Sequence, residues 1–298
     1  MYLRHILSLH NITKSYGSIQ ALKNVSFTVP KGSVFGILGP NGSGKTTLLG
    51  IILDVLRADS GNYVWFDNMT TGEARKQIGS LLETPNFYHY LSAVNNLEIA
   101  VAIKQRGHSD IERVLEKVNL LQRKDSAFQT YSLGMKQRLA IASTLLGNPN
   151  VLVFDEPTNG LDPAGIAEIR ELIRQLNREG YTIIMASHLL DEVEKVCTHV
   201  AILKSGNLLV TGDVNEVLHS DDTIEISADD LDLLQQKITT MQGINTVVKN
   251  NKTLILNTTS DIQPAAINRF CSDNGITLSH LVLKKKSLET KFMELTNN

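Results

Sequence analysis

Two stretches of the chain carry residue types that do chemistry. The first is Gly39-Pro40-Asn41-Gly42-Ser43-Gly44-Lys45-Thr46, which fits the pattern G-x-x-x-x-G-K-T. Glycines let several backbone N–H groups converge on phosphate oxygens, and a helix starting at the loop's end turns its positive pole toward the same anion. Lys45 would reach the outer phosphates, and the Thr46 hydroxyl is suited to Mg²⁺. A glycine-rich turn with a chance lysine needs no particular neighbours. Here the apolar run Val34–Leu38 precedes the loop and Thr47-Leu48-Leu49-Gly50-Ile51-Ile52 follows it with a helical apolar face. Strand, loop and helix in that order point to phosphate binding.

The second stretch is Val151-Leu152-Val153-Phe154-Asp155-Glu156, an apolar strand pattern ending in two adjacent carboxylates. Side chains alternate along a strand, so the two acids address different targets. Asp155 can join a Mg²⁺ shell while Glu156 orients and deprotonates a water. Beside a phosphate-binding loop, this pair favours hydrolysis of a nucleoside triphosphate over binding alone.

The elements that must position these residues follow from periodicity. Leu7–Ile12 and Val25–Val29 read as strands on either side of a turn at Tyr16-Gly17-Ser18, an antiparallel layer. From about Ala93 to Leu146 the pattern is helical throughout, with Ile111, Val114, Leu115, Val118 and Leu121 at three- and four-residue spacing. Strands at Val151–Phe154 and Thr182–Ala186 bracket an amphipathic helix from Gly165 to Arg178, and strand, helix, strand in this form implies a parallel sheet. The texture changes near Ser220-Asp221-Asp222. A second region then alternates strand, helix, hairpin, helix and strand (Thr223–Ser227, Leu231–Met241, Thr246–Leu256, Ile262–Asp273, Ile276–Leu283), and a helix over Leu288–Leu295 closes the chain. The expected fold class is α/β: a P-loop NTPase core with a mainly parallel sheet, an antiparallel β layer and a helical insert at about 86–146, over residues 1–220. Residues 221–298 are expected to form a small α+β domain of β-α-β-β-α-β order.

Composition excludes several alternatives. Lys+Arg 29 against Asp+Glu 31 leaves a formal charge of -2, which is no footprint for nucleic acid or anionic lipid. Lys284-Lys285-Lys286 reads as a solvated strand end. No apolar run approaches the roughly 18–20 residues that span a bilayer, and no secretory signal opens the chain, so a cytoplasmic location is expected. Cys197 and Cys271 lack metal spacing and read as ordinary thiols.

The order of further motifs resembles the ATP-binding cassette (ABC) ATPases over roughly residues 5 to 220. After the loop and the helical insert come Tyr131-Ser132-Leu133-Gly134-Met135-Lys136-Gln137-Arg138, then Asp155-Glu156-Pro157-Thr158, Gly160-Leu161-Asp162-Pro163 and Ser187-His188. The resemblance implies ATP held by Gly39, Pro40, Asn41, Gly42, Ser43, Gly44, Lys45, Thr46 and Thr47, with the Tyr16 ring stacked on adenine. It implies Mg²⁺ held by Thr46, Asp155 and Glu83, and Glu156, His188 and Lys45 as the catalytic residues, His188 meeting the γ phosphate. It places Ser132 and Gly134 on the γ phosphate of the ATP bound by an opposite subunit, so two chains complete each site, a homodimer being the expected pairing. Asp162 lies in the loop that communicates between the two sites. The implied partner is a separately encoded integral membrane permease, to which the chain is peripheral on the cytoplasmic side; the alternative is a soluble ABC-type ATPase not coupled to transport.

The sequence departs from the family pattern in three places. Glu83 stands where glutamine is usual, and it accepts hydrogen bonds or ligates Mg²⁺ but cannot donate as an amide does. Leu133 replaces a usual glycine and Met135 a usual glutamine. Together with the C-terminal extension, this combination resembles the bacitracin-resistance and lantibiotic-immunity subgroup, whose transporters clear amphipathic peptide antibiotics from the bacterial membrane. Glu83→Gln is expected to alter coupling more than nucleotide binding. Equal ATPase rates and equal protection against peptide antibiotics in both forms would make Glu83 a bystander.

Overall fold

In the computed structural model, which describes residues 4–66, 69, 71–82, 86–219, 223–259, 262–284 and 288–296, the chain opens with a long hairpin. β1 (His5–Tyr16) pairs antiparallel with β2 (Ile19–Pro30), from His5 opposite Pro30 to Tyr16 opposite Ile19. The two-residue turn between them places Gly17 at φ 58, the left-handed conformation a tight hairpin turn requires. Leu7, Leu9, Ile12, Val25, Phe27 and Val29 are buried, while alternate neighbours face water. β3 (Val34–Leu38) is buried at every position and leads into α1 (Lys45–Ile52). β4 (Ser60–Trp65) then returns to the free edge of β1, completing a three-stranded sheet of order β2-β1-β4.

The insert follows α2 (Thr71–Lys76) and β5 (Ile78–Leu81). The expectation of helix throughout is corrected here: the segment holds α3 (Ala93–Lys104), α4 (Ile111–Lys117) and α5 (Leu133–Leu145), separated by loops and three short 3-10 turns. The breaks have local causes. Gln105 and Asn119 adopt left-handed backbones where α3 and α4 end, Gly107 does so ahead of a 3-10 turn, and Ser92 and Ser132 cap the starts of α3 and α5.

β6 (Val151–Asp155), α6 (Pro163–Arg178), β7 (Thr182–Ser187), α7 (Leu190–Val196), β8 (His199–Lys204) and β9 (Asn207–Asp213) complete this unit. The six-stranded sheet has order β5-β6-β7-β3-β8-β9 and is parallel except for the β8–β9 hairpin. Every residue of β3, β6 and β7 is buried, as expected of strands covered on both faces. Because β6, β7 and β3 are adjacent and run the same way, the residues that follow them are delivered to one edge of the sheet.

The chain divides into two compact units at Asp213/Val214, where the sequence placed the boundary at 220/221. The second unit contains α8 (Val214–His219), β10 (Thr223–Ala228), α9 (Leu231–Ile238), β11 (Ile244–Asn250), β12 (Thr253–Thr258), α10 (Pro264–Asp273), β13 (Leu278–Lys284) and α11 (Leu288–Thr296). Its antiparallel sheet has order β11-β12-β10-β13, with Ile224, Ile226, Leu254 and Leu256 packed with Leu234, Ile238 and Ile267 of the helices. Both cysteines are free and buried, and burial pushes the Cys197 thiol up, away from reactivity.

Ile184, fully buried in central strand β7, packs among Phe35, Ile37, Val151 and Val153. Ile184→Ala should cost about 2–5 kcal/mol in chemical denaturation of the full chain. An unshifted midpoint would contradict this description of the core.

Candidate functional site

The loop between β3 and α1 is shaped by contacts that tolerate no side chain. A Cβ on Gly39 would lie 2.3 Å from the Leu203 carbonyl oxygen and 2.5 Å from Ser43 Oγ. Gly44 has φ 106, and a Cβ there would lie 2.5 Å from the Ala21 carbonyl oxygen. Backbone bonds hold the curl: Ser43 N–H donates to Pro40 O at 3.1 Å, and Gly206 N–H to Ser43 O at 3.1 Å. The loop is thus wedged between the β1–β2 hairpin and the β8–β9 turn. α1 starts from Gly44, which has no side chain to cap it, and its first turn carries no acidic residue. Its leading N–H groups and partial positive charge are therefore left to attract an anion. Ser43 Oγ is buried with no hydrogen-bond partner among the described residues, an unmet polar group at the same spot. Pro40, Asn41 and Gly42 form the exposed rim, Thr46 is exposed and Thr47 half-buried.

Charged groups converge beneath this loop. Lys45 is 6% exposed; its Nζ donates to Gly39 O at 2.8 Å and Pro40 O at 3.3 Å and lies 3.5 Å from Glu156 Oε1. The Thr46 hydroxyl donates to Asp155 Oδ2 at 2.8 Å, and Asp155 is buried as the last residue of β6. Glu156 has left the strand: its φ is 49, and its N–H donates to Ala186 O on β7. That left-handed residue turns Glu156 toward the end of β7, where its Oε2 lies 2.9 Å from His188 Nδ1 and accepts the His188 N–H at 3.4 Å. A carboxylate only accepts, so His188 Nδ1 carries a hydrogen and leaves Nε2 for another partner. Adjacent acids thus reach different targets, through a backbone reversal at Glu156 rather than through strand pleating.

Thr46 and Asp155 offer two hard oxygen donors side by side. That pair suits Mg²⁺, which keeps several waters and takes phosphate oxygens rather than an all-protein cage. Among the described residues no group of three or more His, Cys, Asp or Glu forms such a cage. Glu83, the other residue expected at the metal, lies outside the described residues.

Other expected residues are placed apart from this cluster. Ser132 is an exposed cap of α5, its Oγ accepting the Met135 N–H at 3.3 Å. Leu133 is 50% exposed, and a Cβ on Gly134 would meet nothing within 4 Å, so no packing within the chain requires glycine there. Asp162 caps α6 by accepting the Gly165 N–H at 2.9 Å, with Pro163 beginning the helix. Tyr16, at the tip of the first hairpin, is 47% exposed, with Lys14 Nζ 5.6 Å from its ring centroid. Sequence reasoning passed over Lys14 and its ion-pair partner Asp59, because they are 45 residues apart and belong to no motif.

Comparison with known proteins gives this arrangement its context. A family profile described as ABC transporter matches residues 22–159. YhcH of Bacillus subtilis (strain 168), an uncharacterized ABC transporter ATP-binding protein, is 36% identical over 99% of this chain and 97% of its own length. The bacitracin transport ATP-binding protein BcrA of Bacillus licheniformis is 34% identical over 97% of each chain. Among solved structures, cbiO1 from Clostridium perfringens, part of an ABC transporter complex, has TM-score 0.66 at 30% identity, covering 72% of this chain and 91% of its own. The dimeric post-hydrolysis state of the cassette MJ0796 bound to ADP and Pi has TM-score 0.62 at 27% identity, covering 70% and 99%.

Lys45 is the one loop side chain whose cation points among the groups gathered here. Lys45→Ala should weaken nucleotide binding by about tenfold or more, the loss of at least one charge-assisted hydrogen bond. Equilibrium binding at the wild-type level would remove the phosphate role assigned to it.

Proposed function

The chain belongs to the ABC transporter family of ATP-binding proteins, and from that premise we propose how its residues divide the work. The protein is an ATP-binding transporter subunit and an ATP hydrolase. In our reading the loop Gly39–Thr47 and Lys45 hold the phosphates, Tyr16 stacks on the adenine, and Thr46, Asp155 and Glu83 hold Mg²⁺. When bound, that ion would neutralise phosphate charge. Glu156 accepts the proton of the attacking water. His188, fixed through Nδ1 by Glu156, directs its other ring nitrogen toward the γ phosphate.

The observation that carries this reading is the convergence of Lys45, Glu156 and His188 from the ends of three adjacent parallel strands. A triphosphate inserted there would meet cation, base and γ-phosphate contact together. Before it arrives, Lys45 is occupied by carbonyls and Glu156, which keeps the buried charge satisfied.

Ser132 and Gly134 complete the site of a second copy of the chain. The exposed start of α5 and the open space around Gly134 support that role, since Ser132 caps its helix while still facing solvent. ATP then acts as a clamp: only a triphosphate reaches both surfaces, so hydrolysis releases the pair. The mechanical output passes to a separate membrane permease. Among the described residues no helix is long and apolar enough to cross a membrane, which is compatible with a transport path in a partner. Exposed Tyr88 and Tyr90, just after Glu83, offer that partner an aromatic docking surface. Likeness to BcrA and the Glu83, Leu133 and Met135 departures favour peptide antibiotics as the cargo.

Glu156→Gln should keep ATP affinity while lowering phosphate release by about 10²–10⁴-fold and accumulating ATP-bound dimers in size-exclusion chromatography. Undiminished phosphate release would show that another group activates the water.

A further inference from the structure

Lys14, Asp59 and Tyr16 form an assembly at the hairpin tip that the division of labour above leaves unused. Lys14 and Tyr16 are two residues apart on β1 and project on the same side of the strand, which brings Lys14 Nζ to 5.6 Å from the ring centroid, within cation–π range. The ammonium is not free to wander. Asp59 Oδ1 holds it at 2.8 Å, while Asp59 Oδ2 accepts the Ser15 N–H at 2.6 Å and the Asp59 N–H donates to Thr13 O at 2.8 Å. Asp59 therefore grips three consecutive residues, 13, 14 and 15, just before the residue whose ring matters. The Lys14 hydrogen bond also holds the Asp59 carboxyl below its usual range. Exposure differs along the assembly: the Lys14 side chain is 18% exposed, whereas Tyr16 is 47% exposed.

We propose that Lys14 and Asp59 are positioning residues for nucleotide-base recognition, covering one face of the Tyr16 ring with a fixed cation and leaving the other face open to a purine. The proposal rests on the reading of Tyr16 as the base-stacking residue. An exposed tyrosine tip ordinarily loses rotamer freedom when it binds, and an ammonium anchored on one face removes part of that loss in advance. The contact reaches the ring and not the phosphate loop, so it acts on recognition of the base alone.

The test compares the full chain carrying Lys14→Met, Asp59→Asn, Lys14→Arg or Tyr16→Ala, with Mg-ATP and with magnesium tripolyphosphate, which has no base. Lys14→Met and Asp59→Asn should raise KM for ATP about two- to fivefold, leave kcat unchanged and leave tripolyphosphate inhibition unchanged. Lys14→Arg, which keeps both cation and ion pair, should restore the wild-type KM. If tripolyphosphate affinity falls in parallel with that for ATP, Lys14 is a phosphate contact and the proposal is overturned. If Tyr16→Ala weakens ATP binding but Lys14→Met and Asp59→Asn do not, the positioning role fails while base stacking stands. If Tyr16→Ala has no effect on ATP, the stacking reading itself fails.

Discussion

A buried ammonium 3.5 Å from a carboxylate, which is itself 2.9 Å from an imidazole nitrogen, is the constraint around which the first unit is built. Lys45, Glu156 and His188 are far apart in sequence and are each mounted just beyond a different strand. They meet only because β6, β7 and β3 are neighbours, parallel and in register. In open α/β sheets the carboxyl ends of the strands form the crevice where ligands bind, and here that edge gathers opposite charges, from buried Lys45 through half-buried Glu156 to exposed His188. Such a cluster is costly to bury and stays favourable only while every member has a partner. A ligand that brings negative charge and takes over the lysine changes this balance, which couples nucleotide occupancy to the geometry of Glu156 and His188.

Much of the surrounding structure serves to keep that edge fixed. The loop glycines admit the Ala21 and Leu203 carbonyls at distances no Cβ would allow, so the antiparallel layer and the β8–β9 hairpin press the phosphate loop into shape. The insert is organised differently. α5 presents its capped start to solvent, with Ser132 and Leu133 exposed. A solvent-facing helix start set apart from the chain's own anion loop is the physical reason for reading the protein as half of a working pair.

The parts legible in the sequence were those whose chemistry is local. The glycine-rich loop and the twin acids after an apolar strand each occupy a few consecutive residues, whereas the capping roles of Ser132 and Asp162 are seen only in the structure. The second unit's strand-helix order was legible for the same reason, since periodicity switches cleanly between two and three to four. What escaped depends on distant pairing. β4 and β5 are short and only partly buried, and they exist because β1 and β6 offer them edges. The left-handed backbone of Glu156 has no propensity signal, because it is held from β7 by the Ala186 carbonyl. Lys14 and Asp59 carry no motif and meet only after β4 has folded back on β1. Helical periodicity across the insert concealed its breaks, because Gln105 and Asn119 are residues whose left-handed conformation is set by their surroundings.

The central claim is that a triphosphate seated on the Lys45 loop of one copy is cut only when the Ser132 helix of another closes over it. The most direct measurement is phosphate release from Mg-ATP by the pure full-length chain over a wide range of protein concentration. Turnover per chain is expected to be very low when the protein is dilute and to climb steeply as copies begin to meet, levelling off once they are paired. Turnover per chain that does not vary with concentration, or no phosphate release at any concentration, would contradict it.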